Sequence, residues 1–395
     1  MTPTARLILK PGKESSLRRY HPWVFSGAIE RTEGSPAEGD LAEVCDASGQ
    51  RLGLGHWQPG SIALRVLSFG SRDLGAGHWE AQIARALALR RSLGLWENPD
   101  TSLCRLVHGE GDGLPGLVVD WYEGLAVIQA HSAGFYRARA EIAEALRAVL
   151  GPALRAVYDK SAHTLRLRSG EQPQEGYLWG GPEDWAASEY GKRYRIAPEG
   201  GQKTGFFIDQ RESRRLLERY AAGQDLLNLF CYSGGFSVAG LAGGAALVHS
   251  VDSSKKAIEL TEENVRLNFG EEGRHASFAE DVFDFLAASK RQYSRVVVDP
   301  PAFAKRLSAA QQALRGYRRL NEAAIRKVAP GGLMFTFSCS QAVSREQFRE
   351  AVFSAAAAAG RQARILFQLT QPPDHPVNIY HPEGEYLKGL VLEVG

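Results

Sequence analysis

Two short stretches carry side chains able to do covalent chemistry on a flat heterocycle. Phe337-Ser338-Cys339-Ser340 puts a thiol at the end of an apolar run, and Asp299-Pro300-Pro301-Ala302-Phe303 puts an acid, two prolines and an aromatic at the end of another. Cytosine C5 is too poor a nucleophile to attack a methyl sulfonium unaided. A thiolate that adds to C6 makes C5 enamine-like, and loss of the C5 proton later releases the thiol. This is nucleophilic covalent catalysis, and it needs a thiol of lowered pKa at a partly open position. The prolines stiffen the backbone where Asp299 leaves its strand. A rigid loop with an acid and an aromatic can hold a base by hydrogen bonding and stacking. Cys339 and Asp299 are therefore the expected catalytic pair, with Pro300, Pro301, Phe303 and Lys305 as substrate contacts. The plainer alternatives are a small buried cysteine and an ordinary Asp-Pro-Pro turn; the position of both motifs after successive strands favours chemistry.

A second constellation lies upstream, in Asn228-Leu229-Phe230-Cys231-Tyr232-Ser233-Gly234-Gly235-Phe236. Glycines there let backbone amides approach a ligand. Asp252, followed by Ser253, ends the next strand, placed for ribose hydroxyls. Asp281 ends the third, where its carboxylate meets an adenine amino group and the Val282 amide a ring nitrogen. Asp299 ends the fourth. The turn lacks the full Gly-x-Gly-x-x-Gly that cradles a pyrophosphate, which argues against NAD or FAD; S-adenosylmethionine has no phosphate and tolerates the looser turn. Helix capping accounts for Asp252 and Asp281 singly but not for the whole set. Asn228, Phe230, Tyr232, Ser233, Gly234, Gly235, Asp252, Ser253, Asp281, Val282 and Asp299 are thus the expected cofactor contacts. Cys231, the rival thiol, reads as packing.

The elements that must position these groups alternate from about Tyr190 onward. Strands are expected at 225–230, 246–252, 276–279, 295–299 and 333–338, and helices at 236–242, 255–268, 282–290, 308–328 and 344–359. Such βαβ alternation predicts a doubly wound, mainly parallel sheet of the α/β class, with ligands beyond the C-terminal strand ends. Residues up to about Gly70 show short apolar runs (7–9, 23–25, 41–44, 52–54, 62–67) between turns, predicting a small β-barrel or sandwich. A helix over 79–93 follows. A compact α+β unit comes next, with a hairpin of 117–121 and 125–131 around Glu123-Gly124, a helix over 136–150, and strands at 155–159 and 164–167. Residues 170–184 read as a linker or exposed loop. The expected domains are 1–72, 73–189 and 190–395.

A chain of 395 residues exceeds one ordinary core, in keeping with that division. The net charge of +2 identifies no partner. Lys10, Lys13, Arg18 and Arg19 crowd one segment and Lys203, Arg211, Arg214 and Arg215 another, and such runs read by themselves as solvated faces. The four cysteines (Cys45, Cys104, Cys231, Cys339) form no Cys-x-x-Cys pair, so neither a zinc ribbon nor a disulfide framework is expected, and no metal. No signal-like h-region and no apolar stretch of roughly 18 residues is present; the expectation is a cytoplasmic protein without a membrane partner.

Assembled, these residues resemble the RlmI-type family of bacterial large-subunit ribosomal RNA cytosine-C5 methyltransferases over nearly the whole length. The segment Lys13, Ser16-Leu17-Arg18-Arg19 and His21-Pro22-Trp23-Val24-Phe25-Ser26-Gly27 is similar to that family's PUA domain, an RNA-binding barrel. Gly109-Glu110-Gly111-Asp112-Gly113-Leu114-Pro115-Gly116-Leu117 resembles the opening of its central domain. Lys203-Thr204-Gly205-Phe206-Phe207-Ile208-Asp209-Gln210-Arg211 resembles the entry to its Rossmann-like methyltransferase domain, and Pro382-Glu383-Gly384-Glu385-Tyr386-Leu387-Lys388-Gly389 its close. The resemblance implies S-adenosylmethionine as cofactor, ribosomal RNA of the large subunit as partner, Cys339 as nucleophile, Asp299 beside the base, and Arg18 and Arg19 on RNA. It puts Gln210 and Arg211 near the cofactor, against a competing role at an exposed helix start. Many RNA cytosine-C5 methyltransferases carry a second cysteine where this chain has Ala302, so the base that takes the C5 proton is unassigned; His375 and His381 are candidates, set against ordinary surface histidines. Methylation of an exocyclic amine and a non-catalytic RNA-binding role stay open, as does a homodimer.

Overall fold

The computed structural model describes residues 3–165, 167–168, 170, 172–201, 204–304 and 306–395. Its contacts divide into two units. The first runs up to Ala187 and adds Ile196–Ile208 and Pro373–Gly384; the second comprises Ser188–Arg195, Asp209–Pro372 and Glu385–Gly395.

The first unit opens with β1 (Ala5–Leu9), β2 (Trp23–Phe25), β3 (Ile29–Glu33), β4 (Leu41–Cys45), β5 (Arg51–Trp57) and β6 (Ile62–Phe69), joined in the order β2-β6-β5-β4-β1-β3. Alternation along the strands sends Leu7, Leu9, Val24, Val44, Leu64 and Val66 into one core, with Leu17 of the short helix α1 (Ser15–Arg18). β3 was not expected: its sequence, Ile-Glu-Arg-Thr-Glu, is polar because it forms the sheet edge.

A second sheet in this unit has the order β11-β10-β9-β8-β7: β7 (Leu103–His108), β8 (Leu117–Tyr122), β9 (Leu125–Ala130), β10 (Ala156–Asp159) and β11 (Gly176–Trp179). The β8–β9 hairpin turns through Glu123 (φ 46°) and Gly124 (φ 107°). Helix α2 (His78–Ser92) packs Trp79, Ile83 and Leu87 into the same core as Ile142 and Leu146. The expected helix over 136–150 is two pieces, α3 (Ala133–Arg137) and α4 (Arg139–Leu150). Two expectations fail here. Thr164 is in a turn and bonds back to Ser161 and Ala130, so no strand forms over 164–167 among the described residues. The supposed linker contains β11, which completes the sheet beside β10; its half-buried Gly-Tyr-Leu-Trp lacks the alternation that would have marked it.

Gly109–Asp112 forms a 3-10 turn that receives the distant segment Pro373–Gly384. A Cβ on Gly111 would lie 1.9 Å from the Pro376 carbonyl oxygen, so only glycine admits this approach. Arg90, fully buried, forks onto both oxygens of Asp112 (2.6 and 2.8 Å) and donates to the carbonyls of Arg105 (2.7 Å) and Asp374 (2.6 Å).

The chain next forms a two-stranded ribbon, β12 (Ala186–Glu189) and β13 (Lys192–Arg195). The second unit then holds α5 (Arg211–Arg219), β14 (Asp225–Leu229), α6 (Gly235–Ala242), β15 (Leu247–Asp252), α7 (Lys255–Phe269), β16 (His275–Ala279), α8 (Val282–Ala288), β17 (Tyr293–Val298), α9 (Ala310–Ile325), β18 (Val328–Ser338), α10 (Arg345–Ala359), β19 (Ala363–Leu369) and β20 (Lys388–Val394). The expected alternation is present, and two antiparallel strands, β19 and β20, extend it. Sheet order is β16-β15-β14-β17-β18-β20-β19, with β14 to β18 parallel. The order reverses at β14, which lies between β15 and β17, so a crevice opens beyond Leu229.

Because Arg90 and Asp112 are buried partners, removing one leaves the other charged and uncompensated. Asp112→Asn is expected to destabilise the protein by about 3–5 kcal/mol, and urea unfolding followed by circular dichroism measures it.

Candidate active site

Register sets the site. Leu229 of β14 is level with Val251 of β15 and Val298 of β17; Val298 in turn is level with Thr336 of β18. The residues just beyond, Phe230, Asp252, Asp299 and Cys339, therefore lie along one rim of the sheet.

The turn after β14 is held in strained backbone. Phe230 (φ 58°) and Tyr232 (φ 46°) both take left-handed conformations that side chains disfavour. Three contacts hold them there: Thr261 Oγ1 donates to the Tyr232 carbonyl (2.8 Å), Asn264 Nδ2 donates to the Ser233 carbonyl (2.8 Å), and the Tyr232 amide donates to Asp252 Oδ2 (3.1 Å). Gly234 (φ 73°) is required twice over, since a Cβ there would meet Thr261 Cγ2 at 2.7 Å. Gly235 begins α6 against the side chain of Arg214, which is buried and forked onto Glu189 (2.7 and 2.6 Å). Asp252 also accepts from the Ser254 amide (2.9 Å), and exposed Asp281 caps α8 through the amides of Phe283 (2.8 Å) and Asp284 (3.3 Å). The capping role of Asp281 is thus real. Ser253 is exposed and Val282 buried. Asn228 is buried and braces the turn by donating to Ser237 Oγ (2.8 Å).

Cys339 is half-buried at the end of β18, and none of the four cysteines is in a disulfide. Cys231, by contrast, is enclosed beside Thr261, and burial pushes its thiol up to about 12, so it is a packing residue. Asp299 is half-buried, Pro300 buried and Pro301 exposed. Phe303 lies against Tyr317 of α9, ring centroids 4.6 Å apart, which fixes the loop that Asp299 opens. Ser340 joins the two motifs: its hydroxyl meets Tyr317 Oη (2.8 Å) and accepts from the Ala304 amide (3.2 Å), while its carbonyl accepts from Lys388 Nζ (2.7 Å).

Several groups here carried no signal that sequence reasoning used. Tyr317 and Thr261 lie mid-helix and look like core or surface. The closing motif matters structurally: Tyr386 Oη donates to Asp209 Oδ2 (2.8 Å), Glu385 pairs with Arg345 (2.5 Å), and Lys388 reaches Ser340. Burial pushes the Lys388 ammonium down to about 8.

Other expectations change. Gln210 and Arg211 are buried, so the exposed helix-start role is excluded. The buried Gln210 Oε1 has no hydrogen-bond partner among the described residues. Arg211 and Arg214 are not a solvated face either; α5 turns both inward. Lys203 and Lys305 lie outside the described residues. Arg18 and Arg19 are exposed, Arg18 in contact with Asp46 (3.1 Å). His375 and His381 are not surface residues: in the first unit, His375 bonds Asp374 Oδ1 (3.0 Å) and His381 lies buried against Trp23 (centroids 4.3 Å). That unit also has a cleft of about 400 Å³ lined by Phe69, Arg72, His78, Gln82 and Arg85.

Residues 104–383 match the family described as S-adenosylmethionine-dependent methyltransferase, and residues 7–69 match a PUA-like domain. Proteins of Alteromonas mediterranea and Salmonella paratyphi C, both named ribosomal RNA large subunit methyltransferase I, are 38% and 37% identical to this chain. The matches cover 99% and 98% of this chain and 99% and 97% of theirs. The chain belongs to this methyltransferase family. A solved structure from Streptococcus mutans shares the fold, with a TM-score of 0.84 at 22% identity over 98% of this chain and 99% of its own. Another solved structure, complexed with SAH, superposes at a TM-score of 0.85 and 22% identity over the same shares. The cofactor of this methyltransferase is S-adenosylmethionine, and the residues present fit it: a strained turn at the switch point, an acid, Asp252, at the end of β15, and no pyrophosphate cradle. Among the described residues no cluster suited to a metal ion occurs and no helix is long and apolar enough to cross a membrane.

Gly234→Ala should weaken S-adenosylmethionine binding by about tenfold or more, since the left-handed backbone alone costs a side chain ~1–2 kcal/mol. Isothermal titration measures this, and unchanged affinity would remove the turn from the cofactor site.

Proposed function

We propose that this methyltransferase acts on C5 of a cytosine in large-subunit ribosomal RNA through a covalent adduct of Cys339 at C6. The observation that carries the reading is the half-open Cys339 thiol one strand from Asp299, tied to the Asp299 loop through Ser340. Amine methylation uses the amine's own lone pair and leaves such a thiol without purpose. The name shared by the relatives supports ribosomal RNA as substrate, and the PUA-like sheet with exposed Arg18 and Arg19 supports RNA contact.

S-adenosylmethionine supplies an electrophilic methyl group when bound. The chain's own residues do the rest. The Cys339 sulphur gives an electron pair to C6, and the C5–C6 π pair becomes available at C5. C5 takes the methyl group while the old carbon–sulphur pair stays with the departing S-adenosylhomocysteine. A base then removes the C5 proton, and the returning pair expels Cys339 as thiolate. Asp299 accepts a hydrogen bond from the cytosine amine, and Pro300, Pro301 and Phe303 keep its loop rigid. Asn228, Phe230, Tyr232, Ser233, Gly234 and Gly235 form the wall against the cofactor, Asp252 and Ser253 meet its ribose, Asp281 and Val282 its adenine, and Gln210 and Arg211 close the side. The three segments 1–72, 73–189 and 190–395 serve in this reading as RNA-binding, central and catalytic parts of a cytoplasmic enzyme.

Cys339→Ala is expected to abolish methyl transfer to RNA with cofactor affinity intact, whereas Cys231→Ala keeps turnover; nucleoside mass analysis of RNA incubated with labelled cofactor reads both. Full activity of Cys339→Ala moves the assignment to amine methylation. Replacing Arg18 and Arg19 together by alanine should weaken RNA binding and reduce the slope of log affinity against log salt by about 1–2, measured by filter binding across a salt series.

A further inference from the structure

Lys388 opens β20 directly opposite Ser338 of β18, the residue before Cys339. Its side chain is buried, at 4% exposure. Among the described residues the ammonium makes one hydrogen bond, to the Ser340 carbonyl at 2.7 Å, and has no carboxylate in ion-pair contact. A buried ammonium without a counter-ion is expensive to keep charged. Burial is what lowers its pKa; the strongest influence in the opposite direction is Cys339, ahead of Glu385, while Arg345 opposes it.

The other charged and titratable groups around this corner are already engaged or differently placed. Arg345, at the start of α10, is held by Glu385 at 2.5 Å. Tyr317 of α9 spends its hydroxyl on Ser340 Oγ, and burial, with a smaller contribution from Cys339, pushes its pKa up. Asp299, just beyond β17, is an acid, which disfavours a second negative charge on the rim. Lys388 is therefore the cation best placed to favour an anionic sulphur.

We propose that Lys388 is the counter-ion of the Cys339 thiolate, a positioning residue that stays protonated through the cycle and acts on the substrate only through Cys339. When the thiol ionises, its proton leaves to water and its bonding pair stays on sulphur, later to be shared with C6; expulsion from C6 returns the pair to sulphur, again facing the ammonium. Lys388 neither gives nor receives the C5 proton. The inference rests on the reading of Cys339 as nucleophile. It predicts that the electrostatic help is full well below about pH 8 and fades as pH rises through that value, where the ammonium itself deprotonates.

The test is alkylation of Cys339 by iodoacetamide in the full-length protein, across a pH series, read by mass spectrometry of the Cys339 peptide. No RNA is needed, so the outcome is independent of the substrate assignment. The midpoint of the profile is compared rather than the rate alone, because a less acidic thiol is intrinsically more nucleophilic. Lys388→Met is expected to raise the midpoint by about one unit or more, that is, roughly a tenfold loss of thiolate at neutral pH, and Lys388→Arg to keep it near the original. If Lys388→Met does not fold by circular dichroism, Lys388→Gln gives the same comparison. A Lys388→Met or Lys388→Gln profile superimposable on the original overturns the proposal. An unchanged profile joined, in a separate incubation with RNA, by an accumulating covalent RNA–protein adduct overturns it too and makes Lys388 the acceptor of the C5 proton instead. A Cys339→Ser protein that still methylates RNA defeats the nucleophile reading itself and is seen in a separate assay.

Discussion

Ser340 has one hydroxyl and one carbonyl, and the second unit uses both. The hydroxyl holds the Ala304 amide and Tyr317 Oη, and the carbonyl holds the Lys388 ammonium. Fully buried, these bonds have no water to compete with them, so each is costly to break. Through that one residue the loop after β17, the helix α9 and the strand β20 are fastened to the position beside Cys339. The thiol is thereby held on a rigid element while its own surface stays partly open, the combination that a nucleophile needs.

The turn after β14 depends on a different constraint. Two side-chain-bearing residues, Phe230 and Tyr232, are kept in left-handed backbone by α7 and Asp252, and the cost is met by bonds from Thr261, Asn264 and the Asp252 carboxylate. Behind the turn, the buried Arg214–Glu189 fork supports Gly235 at the start of α6. The run of basic residues that looked like a solvated face is in part this internal brace. The string that resembles the family's entry motif also divides its labour: Thr204 bonds Asp120 (2.6 Å) in the first unit, and Asp209 accepts from Tyr386 in the second.

Strand ends, turn glycines and helix periodicity were readable in the primary structure because each depends on neighbours a few residues apart. Ser254 and Ser344, with side-chain oxygens on the amides of Ala257 and Gln347, start α7 and α10 much where local rules put them. β3, β11 and β19 went unread: β3 is a polar, exposed edge, β11 is half-buried throughout, and the alternating Ala363, Ile365, Phe367 and Leu369 of β19 lie on a largely exposed edge strand. The strand pattern near Thr164 misled, because Thr164 closes a turn and Leu165 packs into the core of the first unit without strand pairing.

What the amino-acid order determined alone was the alternation of strand and helix, the glycine-bearing turn after the first strand, and the candidates Cys339, Asp252, Asp281 and Asp299 at strand ends. These are local facts, fixed by backbone sterics and by the period of apolar residues. What only tertiary structure decided was which distant groups face them: Lys388 and Tyr317 at the thiol corner, Arg214 behind the turn, Arg90 and Gly111 receiving Pro373–Gly384, and the burial of Gln210, Arg211, His375 and His381. Burial and charge pairing depend on chain segments tens to hundreds of residues apart, and no local rule carries that information.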